Sequence, residues 1–320
     1  MAEETWEERR KRILRALRAE RIKLLGRRVR QPGPLKPKIE DLVGGIEGKS
    51  AVGRWYHLPY QEPKILVCPP VSLGCQVSQW GRERGWPGGC RFCLVGKARF
   101  GRPLSAKEIT SFVGMILDNA SCSSSFWRGE DRRFVLSFTS AGEPFLNYDA
   151  VIGAARFLKK IFGSDLFITI ITSGILEGVR RLTEEDSDLG IQLRLSVHFP
   201  SDRKRQRFMP MQDHLNEVLR ACIGYAKKTG IALVLNWALI KGMNDGPEHA
   251  ESLARLLQGN EKHVLVRISR LNPYGSDELQ PSSRRRQKEF IALLRRAGIP
   301  VVRAWRGFAT LACATRHFEP

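Results

Sequence analysis

The chain has 320 residues, 42% of them hydrophobic, so it can bury a substantial core as one large domain or as one domain with a small appendage. It contains no run of eighteen apolar residues, and residues 1–23 lack the apolar core and small-residue cleavage site of a secretion signal. These features exclude an obvious membrane-spanning or secreted class and predict a cytoplasmic protein. In that compartment, most of the seven cysteines are expected to be ligands, nucleophiles or core residues rather than halves of disulfides.

The net charge of +20 arises from 53 Lys and Arg residues against 33 Asp and Glu. The positive charge is concentrated in three segments, residues 8–30, 203–207 and 284–296. One such segment could be a solvated helix face, but three together favour nucleic acid as a partner. A basic helix lying on an anionic membrane is the weaker alternative, because residues 6–25 have no aromatic face beyond Trp6.

The first predicted element is an amphipathic basic helix over residues 5–30, with Ile13, Leu14 and Leu17 on its loose apolar face. Three prolines and a glycine in residues 31–38 end this helix, because proline lacks a backbone donor and restricts the residue before it. We therefore divide the chain into residues 1–60, a basic helical extension with a proline-rich linker, and residues 61–320, which include the C-terminal cysteine segment.

Beyond residue 60, apolar and β-branched runs alternate with segments of helical periodicity. The runs are KILVCPPV, RFVLSF, LFITIIT, QLRLSV, IALVLNWAL, VLVRIS and PVVRAW. The first long helical segment follows Ser105, a plausible N-cap whose capping box Glu108 completes. Such alternation predicts an α/β fold with a parallel sheet covered by helices, either open or closed into a barrel. In a barrel of this kind, the chemistry lies at the C-terminal ends of the strands.

Three cysteines follow the first of these runs in an uneven pattern. Fourteen residues separate Cys75 from Cys90, and two separate Cys90 from Cys93. Unrelated core cysteines are disfavoured, because the CxxC pair lies in a polar loop beside Gly88 and Gly89. A structural zinc site usually needs four ligands, and the sequence has no second CxxC pair. Three thiolates that leave one iron open suit a [4Fe–4S] cluster whose fourth iron binds a substrate, and this is the favoured interpretation.

Residues 64–316 resemble the RlmN/Cfr family of radical S-adenosylmethionine methyltransferases, which methylate an adenosine of 23S ribosomal RNA at an sp² carbon. The matching motifs, in chain order, are VCPPVSLGC…CRFC, LSFTSAGEPFLN, ITIITSGI, LRLSVHFPSDRKRQRFMP, NDGPEHAESLARLL, LNPYG and WRGFATLACA. The resemblance implies that residues 61–320 form a partial (β/α)6 radical-SAM barrel. It also implies structured RNA as partner, ribosomal RNA first and transfer RNA second, and an electron donor such as flavodoxin or ferredoxin.

The same resemblance implies two cofactors, a [4Fe–4S] cluster and S-adenosylmethionine, and assigns residues to them. The cluster ligands would be Cys75, Cys90 and Cys93, while the amino and carboxylate groups of S-adenosylmethionine chelate the fourth iron. The contacts to S-adenosylmethionine would be Gly142, Glu143, Pro144, Ser173, Ser196 and Asn272. For each of these contact residues, a role in a turn or a helix cap is the alternative.

Two further cysteines are expected to be catalytic. Carbon 2 or carbon 8 of adenine is too electron-poor to attack a methyl sulfonium directly, and the family's chemistry avoids that step. The resemblance implies that Cys313 first takes a methyl group, from which a 5′-deoxyadenosyl radical then removes hydrogen. Cys68, seven residues before Cys75, would assist proton removal and resolve the protein–RNA crosslink through a disulfide with Cys313. Cys222 lies in a predicted helix core and matches no motif.

The fourteen residues between the first two ligands, 76–89, are an insertion relative to the family's three-residue spacing. Their two tryptophans and two arginines could stack on a base or grip a phosphate, although a simple lid is equally compatible. The leading function is methylation of carbon 2 or carbon 8 of adenosine in structured RNA. The alternatives are a related radical-SAM enzyme acting on transfer RNA, a peptide or a small molecule, and a non-catalytic cysteine–metal RNA-binding protein.

Overall fold

The computed structural model describes residues 8, 11–13, 15–16, 54–57, 65–97, 100–121, 134–185, 189–271 and 279–303. Two predicted site residues, Asn272 and Cys313, lie outside these ranges, as does a further cysteine, Cys122. The proline-rich linker and most of the predicted N-terminal helix also lie outside them. The division of the chain at residue 60 stays a prediction.

Within the described ranges, eight strands form one sheet, in which the spatial order follows the chain. The strands are β1 (Arg54–His57), β2 (Ile65–Cys68), β3 (Phe134–Phe138), β4 (Leu166–Thr172), β5 (Gln192–Ser196), β6 (Leu233–Leu239), β7 (Val264–Arg270) and β8 (Val301–Arg303). β1 is antiparallel to β2, and every later neighbour is parallel. The predicted α/β fold is therefore confirmed. All seven apolar runs became the seven parallel strands β2–β8, and the last run adds one strand to the six expected of the barrel.

Helices connect the parallel strands, as crossover connections require. They are α1 (Val77–Glu83), α2 (Leu94–Lys97), α3 (Ala106–Ser121), α4 (Tyr148–Phe162), α5 (Leu176–Glu185), α6 (Asp202–Arg205), α7 (Leu215–Thr229), α8 (Pro247–Leu257) and α9 (Arg284–Arg296). The predicted capping box at the start of α3 is formed, since the Ser105 amide donates to Glu108 Oε2 at 2.9 Å and the Glu108 amide donates to Ser105 Oγ at 3.3 Å. No helix in the described ranges is both long and apolar enough to cross a bilayer.

Each strand presents one face to the helices and the other to the opposite side of the sheet, because side chains alternate along a strand. On β6, Leu235 and Trp237 belong to the hydrophobic core, and the Trp237 ring lies 5.6 Å from the Phe290 ring of α9. Asn236, between them, therefore points to the other side. We call that side the inner face of the sheet. It is the side on which a partial barrel of this kind carries its chemistry.

The N-terminal basic segment contacts the sheet-bearing part of the chain. Glu8, Lys11–Ile13, Arg15 and Ala16 are helical. Ile13 belongs to the hydrophobic core at 3% exposure, and Arg12 Nη1 donates to the Ile161 carbonyl oxygen at 3.2 Å near the end of α4. At least part of the basic segment is thus held against the barrel by apolar burial.

Candidate functional site

The three cysteines of the uneven pattern lie on the loop that leaves the carboxyl end of β2. This cysteine loop, residues 69–97, is fixed to its neighbours by backbone hydrogen bonds. The Val71 amide donates to the Ala141 carbonyl oxygen at 2.8 Å, and the Leu73 amide donates to the Arg102 carbonyl oxygen at 2.9 Å. The loop therefore joins the segment after β3 at the edge of the sheet where chemistry is expected.

The fourteen-residue insertion folds back on itself and does not extend from the surface. Half of it forms α1, and a Cβ placed on Gly81 would lie 1.7 Å from the Gly88 carbonyl oxygen. The Trp86 amide closes the turn by donating to the Gly81 carbonyl oxygen at 2.8 Å, and the Gly89 amide donates to the Gly96 carbonyl oxygen at 2.8 Å. This doubling back returns the chain to its start, so that a long spacer still delivers the CxxC pair beside Cys75.

The end of the insertion is anchored to the loop that follows β5. The Arg91 amide donates to the Phe208 carbonyl oxygen at 2.8 Å, and Arg84 Nη2 donates to the Met211 carbonyl oxygen at 2.9 Å. Arg82 Nη2 donates to Ser78 Oγ at 2.8 Å within α1. The two arginines of the insertion thus make contacts within the protein. Any grip on phosphate stays a prediction.

At least two of the three thiols, those of Cys75 and Cys93, lie in surroundings that disfavour their charged form. Cys75, Cys90 and Cys93 are partly buried and pack against the hydrophobic core. Burial raises the pKa of the Cys75 thiol, and the proximity of Cys93 raises it further. Burial also raises the pKa of Cys93. Thiolates in such surroundings need a cationic partner, and iron supplies one.

The donor set fits the expected cluster. Among the described residues, no three His, Cys, Asp or Glu side chains converge closely enough to hold a single metal ion. A [4Fe–4S] cluster takes each thiolate on a different iron, so its ligands need not converge on one point. Three soft thiol ligands from one loop at a strand end are the donor type that such a cluster requires.

The Gly142–Glu143–Pro144 segment follows β3 and packs against the cysteine loop. Gly142 has φ +100°, and a Cβ there would lie 2.2 Å from Ser72 Oγ. The Glu143 amide donates to Gln76 Oε1 at 3.2 Å. Only glycine can hold the positive φ and the close approach together.

The Glu143 carboxylate is almost fully buried and serves the protein internally. It accepts hydrogen bonds from the Thr172 hydroxyl at 2.7 Å, from the Ser173 amide at 2.7 Å, from the Ser173 hydroxyl and from the Phe145 amide at 3.3 Å. Burial raises the pKa of Glu143, and these hydrogen bonds oppose that effect. Four donors fill the usual capacity of a carboxylate, so what the segment can still offer a ligand is mainly backbone. The same contacts join Ser173, just after β4, to Glu143.

Arg205 is a site residue that sequence reasoning missed. In the RKRQR run it resembled a solvated charge, but its side chain is 1% exposed. Its Nη2 donates to the carbonyl oxygens of Ser173 and Ser196, tying together the carboxyl ends of β4 and β5. Burial lowers the pKa of Arg205 to about 10, and the nearby Cys90 opposes that shift. No sequence signal distinguished it from the exposed Arg203 and Lys204.

His198 also lies in the site and was not predicted to belong to it. It has φ +56°, and among the described residues it alone combines a positive φ with a side chain. Its Nδ1 accepts from the Ala238 amide at 2.9 Å, and its ring meets the edge of Phe92, between Cys90 and Cys93, at 4.9 Å. Burial, and then Arg205, lower the pKa of His198 to about 3, so the ring is neutral. Its place in the Ser-x-His motif was the available signal.

Cys68 is the last residue of β2 and is 1% exposed. Its neighbour Val67 belongs to the core, so Cys68 faces the inner side, within electrostatic reach of Arg194 of β5. The structure thus brings most predicted residues to one edge of the sheet: Cys68, Cys75, Cys90, Cys93, Gly142, Glu143, Pro144, Ser173 and Ser196. Asn272 and Cys313 lie outside the described residues. Cys222 is buried in α7, as predicted.

Comparison with known proteins agrees with this arrangement. Residues 85–257 match the radical SAM superfamily. The chain is 33% identical over 245 residues to "Ribosomal RNA large subunit methyltransferase N" of Nitrosopumilus maritimus, covering 74% of this chain and 63% of that protein. It is 32% identical over 257 residues to "Probable dual-specificity RNA methyltransferase RlmN" of Deinococcus deserti, covering 78% and 69%.

A solved structure shares the fold. A radical SAM methyltransferase from Sphaerobacter thermophilus superposes with a TM-score of 0.68 at 28% identity, over 81% of this chain and 71% of that chain. The chain spans less than two thirds of the length of the Nitrosopumilus relative. The match over more than half of the chain, together with the Deinococcus relative, shows that the chain belongs to the radical SAM superfamily and, within it, to the RlmN family.

Proposed function

We propose that this chain is a cytoplasmic methyltransferase that methylates carbon 2 or carbon 8 of an adenosine in structured RNA, with ribosomal RNA as the first candidate and transfer RNA as the second. Cys313 would carry the methyl group, and Cys68 would remove the proton from the modified carbon and release the RNA. The names of the relatives support methylation of RNA.

Superfamily membership implies a [4Fe–4S] cluster and S-adenosylmethionine as cofactors, which together supply a carbon-centred radical by one-electron cleavage of a carbon–sulfur bond. Cys75, Cys90 and Cys93 would hold the cluster. The backbone of Gly142–Pro144 and the polar groups of Ser173 and Ser196 would hold S-adenosylmethionine. His198 would contribute a neutral edge to the same space, since its pKa is about 3.

The observation that carries the proposal is the position of Cys68. A radical-SAM centre needs three thiols, and the cysteine loop supplies them. A fourth thiol, buried on the inner face at the end of the adjoining strand, has no part in holding the cluster. Its position suits a group that acts on a substrate entering the barrel from the carboxyl edge.

The charge of the surface supports RNA as the substrate class. Helix α9 exposes six basic side chains: Arg284, Arg285, Arg286, Lys288, Arg295 and Arg296. Lys288, Arg295, Arg296 and Arg303 line an open groove of about 640 Å³ beside β8. Basic side chains along a groove can follow a phosphodiester backbone, and such contacts give binding that weakens steeply with salt.

The proposal is tested by anaerobic reconstitution with iron and sulfide, followed by incubation with methyl-deuterated S-adenosylmethionine and transcribed ribosomal RNA fragments or transfer RNA. Mass spectrometry of the digested nucleosides is expected to reveal a deuterium-labelled methyladenosine. The Cys68→Ala variant should lose this product, whereas Cys222→Ala, which changes a thiol buried in the helix-side core of α7, should retain it. Formation of 5′-deoxyadenosine without label in either RNA would contradict RNA methylation and favour a peptide or small-molecule substrate.

A further inference from the structure

Three polar side chains share the inner face of the sheet, away from the cysteine loop. Strand register pairs Ser196 with Asn236 and Asn236 with Arg267, and it sets Arg194 two residues before Ser196 on β5. The residues that flank each of the three, such as Leu193, Leu195, Val266 and Ile268, belong to the helix-side core. Arg194, Asn236 and Arg267 therefore project from three consecutive strands toward the same inner space.

The buried amide of Asn236 is not satisfied within the described part of the chain, and the two arginines beside it are only partly buried. Asn236 is 2% exposed, and neither its Nδ2 nor its Oδ1 has a hydrogen-bond partner. Arg194 donates from Nε and Nη2 to a single acceptor, Gln192 Oε1. In the described part of the chain, neither Arg194 nor Arg267 forms an ion pair with a carboxylate. A buried amide normally has partners, so the unpartnered Asn236 amide beside two cationic side chains points to a ligand.

The electrostatics specify the charge of that ligand. Burial, and after it the nearby Arg194, lower the pKa of Arg267 to about 10, which leaves it cationic at neutral pH, and burial lowers the pKa of Arg194. Arginine keeps its charge at neutral pH in proteins. Adjacent strands lie about 4.8 Å apart, which puts β5 and β7 on the order of 10 Å from each other. Two arginine side chains can bridge that distance and meet at one anion. Guanidinium groups bind phosphate with paired, charge-assisted hydrogen bonds, and the Asn236 amide adds a neutral donor.

We infer that Arg194, Asn236 and Arg267 form a subsite that binds a phosphate of the nucleotide whose base is modified. This inference rests on the proposed function, because it takes the substrate to be a nucleotide or a nucleotide within RNA. Arg194 lies within electrostatic reach of Cys68, the residue proposed to act on the substrate. The carboxylate of S-adenosylmethionine is the other anion near the site. Its proposed partners, Ser173 and Ser196, lie at the strand ends, whereas Arg194 lies deeper on β5.

The subsite is tested by binding of 5′-AMP and of adenosine to the anaerobic, cluster-loaded full chain with S-adenosylmethionine present. Wild type should bind 5′-AMP at least tenfold more tightly than adenosine. Arg267→Gln should weaken 5′-AMP binding roughly tenfold to a hundredfold, because it removes charge-assisted hydrogen bonds to the phosphate. The affinity for adenosine, which has no phosphate, should stay unchanged. The matched control is Arg180→Gln, which removes the same charge from an exposed position on α5 and should leave both affinities unchanged.

A second variant covers the case in which Arg267→Gln fails to fold. Asn236→Asp changes few atoms and sets a carboxylate between the two arginines, so it should raise the melting temperature while it abolishes the preference for 5′-AMP. Equal wild-type affinities for 5′-AMP and adenosine, or an unchanged preference in Arg267→Gln and Asn236→Asp, would overturn the inference. Loss of S-adenosylmethionine binding in these variants, with 5′-AMP binding intact, would overturn it equally.

Competition by an RNA oligonucleotide identifies the source of the phosphate. If the oligonucleotide displaces 5′-AMP, the phosphate belongs to an RNA strand; if it does not, the substrate is a free nucleotide, and the subsite is upheld in both cases. Binding of 5′-AMP requires no methyl transfer. A failed methylation assay with an intact preference for phosphate would therefore refute the proposed function and leave the subsite standing.

Discussion

Replacement of Gly142 by alanine tests whether the segment after β3 and the cysteine loop form one packed unit. The new Cβ would lie 2.2 Å from Ser72 Oγ and 2.6 Å from Val71 Cγ2, at a residue with φ +100°. A positive φ costs an L-residue roughly 1–2 kcal/mol, and overpacking costs roughly 1–3 kcal/mol more. We therefore expect Gly142→Ala to lower the free energy of unfolding by about 2–5 kcal/mol.

The site should respond as well, because Ser72 Oγ lies within hydrogen-bond distance of two acceptors in the cysteine loop, the Gly74 carbonyl oxygen at 2.8 Å and Gln76 Oε1 at 3.0 Å, to either of which it can donate its one proton. Displacing Ser72 moves the backbone next to Cys75, so the iron bound per chain should fall. Urea unfolding followed by circular dichroism measures the stability, and iron analysis measures the loading. Gly230→Ala is the control, because it has φ +72° but nothing within 4 Å of the new Cβ. If Gly142→Ala is no more destabilised than Gly230→Ala, the packing argument is refuted.

Three further results are expected. Gly81→Ala would push a Cβ into the Gly88 carbonyl oxygen and should lower the iron bound per chain. The control Gly224→Ala, at a helical position with open space, should keep its iron and gain up to about 1 kcal/mol of stability. If both variants bind as much iron as wild type, the insertion does not fold back as described. Because the folded-state pKa of His198 is about 3 and its unfolded value is about 6.5, its contribution to stability is complete above pH 6.5 and declines as the pH falls. Between pH 7 and pH 5, the free energy of unfolding of wild type should therefore fall by about 2 kcal/mol more than that of His198→Asn, as measured by urea unfolding at each pH. If the two proteins lose stability equally over this range, His198 is not held neutral in the folded state. RNA binding measured by filter retention should weaken steeply between 50 and 200 mM salt, by roughly a thousandfold or more if six or more phosphates are contacted. An RNA affinity that does not change with salt would mean that the basic surface does not contact phosphates.

Much of the fold followed from local patterns that packing did not override. Each of the seven apolar runs is a strand, because near-continuous β-branched segments are stable only when both faces are covered. The capping box at Ser105 formed as predicted, since its hydrogen bonds involve residues three apart. β1 was not predicted, because RWYH is short and its place depends on pairing with β2.

The site was less completely predictable, because its geometry depends on tertiary contacts. The cysteine spacing identified the three thiols, but the course of the insertion depends on one contact between Gly81 and Gly88 that no periodicity reports. The burial of Arg205 depends on two carbonyl groups from other strands. Arg194 and Arg267 were not predicted as site residues, because they lie within predicted strands that are mostly apolar. Only the register of three strands reveals that they share a face with Asn236.

Whether Cys313 carries a methyl group can be measured by mass spectrometry of the peptide that contains it, after the cluster-loaded chain has been incubated with methyl-deuterated S-adenosylmethionine. A deuterated methyl group is expected on Cys313, and none is expected on the peptide that contains Cys222. An unlabelled Cys313 in a chain with an intact cluster would mean that the radical chemistry serves another reaction.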